Sequence, residues 1–286
     1  MRNGTIEFFR FIFAICIMLC HMYPFYAMYW GGAIGVEFFF IVSGFLLCKK
    51  IYDCKKTSAL TPWKIIWKKI SAIYVEYLVA IWSAFIITRI FFPSFDDMSF
   101  NQAIAMYLCN SFFMGGILGF PTDAILNLNW WLITMFMALT VIIYLIKTSK
   151  EAYLYIFCPF FCLIIYGYLS HTYGVILVVM DKAFGGDFIF IGWLRGLADL
   201  CMGGISFVIY QYIVSNNIER RLLTIIELLG YGFTIFAVLS RLLDTMPYIS
   251  FLIVIFLSIS VGVSFSAKSM LYGIMQKNVC ALGGGN

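Results

Sequence analysis

Apolar runs of about 20 residues recur along the whole chain, each closed by a short cluster of Lys, Arg, Asp, Gly or Pro. They fall at about 7–28, 33–49, 70–92, 129–147, 152–170, 188–213, 222–241 and 248–267. A helix of that length rises about 30 Å, the thickness of a bilayer's hydrocarbon core. It also satisfies its own backbone hydrogen bonds there, which a loop or an open strand cannot do. The pattern therefore predicts an all-α, polytopic transmembrane bundle of eight helices. A further apolar stretch over 101–120 is broken by Gly115, Gly116 and Pro121. It reads as a short re-entrant or interfacial segment, with a poor ninth span as the alternative. After the eighth run the chain continues KSMLYGIMQKNVCALGGGN with no further apolar run. No fixed-period repeat or low-complexity linker divides the chain, so residues 1–286 read as a single membrane domain.

Composition agrees with lipid as the solvent. The chain is 63% hydrophobic and only 12% charged, against about 25% charged in soluble domains. Thirty Phe and eighteen Tyr exceed what one water-soluble core can hide. No cleavage pattern follows the first apolar run, so it reads as a retained helix. The expected partners are membrane lipids, and no nucleic-acid motif is present.

Charge gives the orientation. With the N-terminus cytoplasmic and the spans alternating, fifteen of the nineteen basic residues face inward; Arg89, Lys182, Arg195 and Arg241 are the exceptions. The outer segments carry Asp96, Asp97, Asp123, Asp181, Asp187 and Asp244 instead. This is the bias of the positive-inside rule. The nine Cys lie mostly within apolar runs, where Cys acts as a small hydrophobe. Cys158 and Cys162 share a helix face but have no His or further Cys nearby, so no metal site is expected.

Ionisable residues within the apolar runs mark candidate chemistry, because each is costly in hydrocarbon. They are Arg10, His21, Glu37, Glu76, Arg195, Asp199 and Glu227. Arg10 and His21 are eleven residues apart, close to three full turns, so they share a helix face about 16 Å apart. Such a face can line a passage, or Arg10 can snorkel to the interface while His21 bonds a neighbouring carbonyl. Counted inward from the outer loop, Glu37 reaches the depth of His21, where a carboxylate could orient an imidazole or form a structural ion pair. Arg195 and Asp199, four apart, can pair on one face. Glu227 either lines the interior or meets a Ser or Tyr hydroxyl. Trp130 and Trp131 open a span from the outer side, as an interfacial anchor or a platform for a sugar ring. The Lys-rich stretch 49–69 marks topology and also suits anionic headgroups or phosphates.

The spacing of Arg10 and His21, followed by Gly35-Val36-Glu37-Phe38-Phe39-Phe40-Ile41-Val42-Ser43-Gly44-Phe45-Leu46, resembles the opening of membrane-bound acyltransferase family 3, the polysaccharide O-acetyltransferase type. That family has Arg or Lys, ten residues and a His in the first helix. A Gly-x-Asp/Glu-x-Phe-Phe-x-x-Ser-Gly-Phe/Tyr-Leu run opens its second. Asn129-Trp130-Trp131-Leu132-Ile133 and Arg195-Gly196-Leu197 resemble later family segments more weakly. The chain departs at Ala72-Ile73-Tyr74-Val75, where the family often has Arg-Ile-Tyr-Pro; Lys68 and Lys69 can substitute electrostatically. Members commonly have about ten helices, so the resemblance implies that the last helices are missing here.

The resemblance implies an integral-membrane O-acyltransferase of the bacterial cytoplasmic membrane. Its donor substrate would be acyl-coenzyme A, acetyl-coenzyme A foremost, with no bound cofactor. Its acceptor would be a hydroxyl of a cell-surface carbohydrate, lipid-linked or not. The catalytic residues would be His21, Glu37 and Arg10, with substrate contacts from Arg195, Trp130, Trp131, Ser43, Lys68 and Lys69. A transporter or flippase of a lipid-linked sugar or organic anion is the alternative, its buried charges then being proton or substrate sites.

Overall fold

The computed structural model describes residues 3–21, 30–53, 61–91, 99–112, 127–174, 183–184, 189–240, 242–246 and 248–283. The helices there are α1 (Gly4–His21), α2 (Ile34–Asp53), α3 (Pro62–Phe91), α4 (Phe100–Ser111), α5 (Asn127–Thr148), α6 (Lys150–Ala152), α7 (Cys158–Tyr173), α8 (Ile191–Ser215), α9 (Arg220–Leu239), α10 (Leu242–Thr245), α11 (Ile249–Ser266) and α12 (Met270–Gly283). A π-helical turn, Tyr153–Phe157, joins α6 to α7 in one rod. Ala183–Phe184 and Ile189–Phe190 form a two-residue antiparallel pair. Five helical rods among the described residues are long and apolar enough to cross a membrane. The chain is an all-α, multi-pass membrane bundle, and its apolar helices contact lipid.

All eight predicted spans are helical, with shifted ends. Residues 22–28 of the first lie outside the described residues. The third begins eight residues earlier than expected, at Pro62, because proline suits a first helical position, where no N–H partner is required. Lys64, Lys68 and Lys69, at the end of the Lys-rich stretch 49–69, are thus helical. At 30 residues, α3 is about 45 Å long and overshoots the hydrocarbon core. Trp63 and Trp67, exposed and stacked at 5.5 Å, mark its early turns. Within 101–120 the helix described is α4, opened by a capping box between Ser99 and Gln102. Its 12 residues rise about 18 Å, too short to span; residues 113–120 lie outside the described residues.

The chain divides into two compact units, residues 1–55 with 142–286, and residues 56–141. In the second unit α3 packs on α4 through Tyr77, Ile81, Met106 and Tyr107. The Tyr77 hydroxyl donates to the Asn110 carbonyl at 2.7 Å.

The first unit is centred on α2 and α8, which cross at Gly44 and Gly203. A Cβ on Gly203 would stand 2.7 Å from the Gly44 Cα and 2.6 Å from the Phe45 nitrogen. Small residues permit this approach, and close backbone packing is what holds helices together where lipid removes the hydrophobic drive. α11 docks on α8 in the same manner. The Ser206 hydroxyl donates to the Ser258 carbonyl at 2.7 Å, and Ser258 returns a bond to the Met202 carbonyl at 2.9 Å.

Cross-helix hydrogen bonds hold three basic residues of this unit, Lys150, Arg220 and Lys268, at one end. Lys150 Nζ donates to the Ile51 carbonyl at 3.1 Å. Lys268 Nζ reaches the carbonyls of Ile213, Val214 and Asn216 at 2.7, 3.2 and 3.0 Å, and Arg220 Nε donates to the Lys268 carbonyl at 3.2 Å. The start of α1 is there too, since Asn3 Nδ2 donates to the Ser264 carbonyl at 2.8 Å. The tail after the eighth span, though it has no further apolar run, is helical to Gly283. It forms α12, whose first N–H is capped by Thr224 Oγ1 at 2.8 Å. Gly4 lies against its backbone at Met275, and the Gly4 N–H donates to Gln276 Oε1 at 3.0 Å.

Candidate functional site: a buried charged cluster

Glu37 lies in the first turn of α2, and Arg195 in the second turn of α8. Two parallel helices clasped at Gly44 and Gly203 must bring these residues together, since each lies about two turns before its glycine. Arg195 donates through Nε and Nη2 to Glu37 Oε1. Its Nη2 also approaches the Ala33 carbonyl at 3.4 Å. Both side chains are buried, at 3% and 1% exposure. Asp199, one turn further along α8, lies in the field of the same guanidinium. Its Oδ1 accepts from the Tyr166 hydroxyl of α7 at 2.5 Å. Three helices thus converge on two carboxyl groups and one guanidinium. The second carboxyl oxygens, Glu37 Oε2 and Asp199 Oδ2, are buried without hydrogen-bond partners.

The register of α1 on α2 sets the distance to the other expected residues. A Cβ on Gly35 would touch the Phe13 carbonyl oxygen and Ile17 Cγ1, both at 2.9 Å, and the rings of Phe13 and Phe38 lie 4.6 Å apart. In this antiparallel register Glu37 is level with residues 14–15 of α1, so His21 lies about 10 Å further along the axis. The two do not share a depth. α2 is preceded by a 3₁₀ turn, Trp30–Ala33, and its opening turn packs deeper against α1 than the loop count suggested. Glu37 therefore lies at a level between Arg10 and His21, with Arg195 as its partner. His21 is the last residue of α1, and its side chain lies outside the described residues.

Arg10 is half-buried and donates to Glu7 Oε1 at 2.8 Å. This (i, i+3) pairing follows from the sequence spacing alone. Ser43 is half-buried beside the Gly44 crossing. Lys68 is exposed and Lys69 half-buried on α3, in the other unit. The side chains of Trp130 and Trp131, in the opening turns of α5, lie outside the described residues. Glu227 does meet Ser and Tyr hydroxyls, at Ser264 and through it Tyr231. Among the described residues no group of three or more His, Cys, Asp and Glu converges as a metal site; Cys162 packs with its thiol 3.4 Å from the Ala198 carbonyl.

Fold and site together define a class: a multi-pass helical membrane protein with a charged cluster locked between three of its helices. No family model, no curated protein and no solved structure matches this chain.

Proposed function

We propose that this chain is an integral-membrane acyltransferase. It moves an acyl group, acetyl in this reading, from acyl-coenzyme A to a hydroxyl of a cell-surface carbohydrate or its lipid-linked precursor. The membrane is the bacterial cytoplasmic membrane, with the N-terminus on the cytoplasmic side, where the basic end of the first unit would meet the anionic donor. The observation that supports this most is the position of Glu37. It combines the family-like motif over 35–46 with a buried carboxylate that has one oxygen on Arg195 and the other uncommitted, at a level between Arg10 and His21.

In this mechanism Arg10 holds an anionic part of the donor or fixes the first helix. His21 takes the proton from the acceptor hydroxyl as it attacks the thioester carbonyl, and the thiolate of coenzyme A leaves; His alone among these residues has an ordinary pKa near neutral pH. Glu37 acts one to two turns away from the imidazole. Its ion pair fixes the outer part of α2 to α8, and its free oxygen accepts a hydrogen bond from a polar group of a substrate. Ser43, Lys68, Lys69, Trp130 and Trp131 are proposed substrate contacts. The test is transfer of labelled acetyl from acetyl-coenzyme A to carbohydrate in membranes containing the chain. Movement of a lipid-linked sugar across vesicles without acyl transfer would favour a transporter instead.

A further inference from the structure

A second buried polar cluster lies at the basic end of the first unit, away from Arg195. Glu227 on α9 is fully buried. Its Oε1 accepts from Ser264 Oγ at 2.5 Å, and the Tyr231 hydroxyl lies 3.0 Å from the same Ser264 oxygen. The Ser269 hydroxyl is a further neighbour of the carboxylate. Glu227 Oε2 has no hydrogen-bond partner, and no basic side chain pairs with Glu227 among the described residues.

Thr5 of α1 supplies an independent observation. It is fully buried, and its Oγ1 also has no partner. Thr5 is the second residue of α1, so no helical carbonyl lies one turn back to take its hydroxyl. The register places it at the level of Glu227. The Phe9 ring stacks on Tyr231 at 3.6 Å, and α1 and α9 both start at this end. Thr5 and Glu227 each precede that stacked pair by four residues, one turn, which puts them at the same level on the two helices. Asn3 closes the α11 side through the Ser264 carbonyl at 2.8 Å.

We propose that Glu227, Thr5, Tyr231, Ser264 and Ser269 form a binding site for a monovalent alkali cation, sodium in particular. A buried carboxylate surrounded only by hydroxyls is stabilised in its ionised form by a counter-charge. Carboxylate and hydroxyl oxygens are ligands for hard cations, whereas soft or transition metals favour thiolate and imidazole. One carboxylate balances one positive charge, so a divalent ion would leave an excess charge buried. The oxygens of Glu227, Ser264 and Tyr231 are hydrogen-bonded to one another at 2.5 and 3.0 Å; an ion would replace those bonds and spread the oxygens, and the smaller spread suits sodium in preference to potassium. Bound sodium would tie α1 to α9 and α11 at their shared end.

The test uses the full chain in detergent, with sodium chloride replacing choline chloride at constant ionic strength. The thermal unfolding midpoint should rise with sodium, as for any ligand of the folded state alone, and hardly at all with potassium. Thr5→Val, nearly isosteric, and Glu227→Gln should each abolish the dependence. Radioactive sodium should bind the wild type and not these variants. An equal midpoint in sodium and choline would overturn the site. So would a sodium response retained by Thr5→Val and Glu227→Gln, or a midpoint that follows pH alone, which would make the bound cation a proton.

Discussion

Gly44 and Gly203 touch backbone to backbone: a Cβ added to Gly203 would stand 2.7 Å from the Gly44 Cα. This contact makes α2 and α8 one unit and sets the level at which Glu37 meets Arg195. Overpacking by even a methyl typically costs about 1–3 kcal/mol, and here the obstacle is backbone that cannot rotate away. Gly203→Ala should therefore lower the thermal midpoint in detergent by several degrees. Gly232→Ala, where nothing lies within 4 Å, should leave it unchanged. Equal behaviour of the two variants would refute the crossing.

The Glu37–Arg195 pair gives a second prediction. Breaking a buried ion pair by removing one partner costs about 3–5 kcal/mol, because the other charge is left uncompensated. Glu37→Gln alone should destabilise strongly, and the double variant Glu37→Gln with Arg195→Met much less. A double-mutant cycle on denaturant unfolding measures this coupling. Additive effects would mean that the two side chains do not depend on one another.

At the basic end, Lys268 spends its ammonium on three carbonyls where α8 stops. Helix ends leave carbonyls unpartnered, and a cation there also suits the helix dipole. Lys268→Met keeps the stem and removes the donors, and should destabilise by about 1–2 kcal/mol. Hydrogen exchange should rise at the α8–α9 connection and not at the Gly44 crossing. Unchanged exchange there would show that water caps these carbonyls equally well.

Orientation can be tested by chemistry. In the proposed topology Lys50, exposed at the end of α2, is cytoplasmic. A cysteine placed there should react with an impermeant maleimide only after the cells are opened. Labelling from outside intact cells would invert the topology.

The helices themselves were legible because apolar runs of bilayer length admit few other structures. What the runs could not supply was pairing. Arg195 lies 158 residues from Glu37, and Tyr166 lies 33 from Asp199; no local pattern links them. Asp199 showed itself as a charge in an apolar run, but Tyr166 looked like any apolar-run aromatic. Counting from the loop places Glu37 too shallow, because it assumes equal packing of both helices, whereas Gly35 lets α2 seat deeper on α1. The helix α12 is not legible as a span because its apolar positions, Met270, Leu271, Ile274 and Met275, fall in two pairs divided by Tyr272 and Gly273 and are followed by Gln276, Lys277 and Asn278. That spacing suits a helix lying on a neighbour and fails a test built for spans.

The central claim is acyl transfer that depends on His21. The measurement is incorporation of labelled acetyl from acetyl-coenzyme A into surface carbohydrate, compared between wild type and His21→Ala at matched membrane levels. Loss of a general base costs about 10²–10⁴ in rate. The wild type should transfer acetyl and His21→Ala should fall by that factor while still inserting normally. Wild-type incorporation by His21→Ala, or no transfer by the wild type to any carbohydrate fraction of its own envelope, would contradict the account.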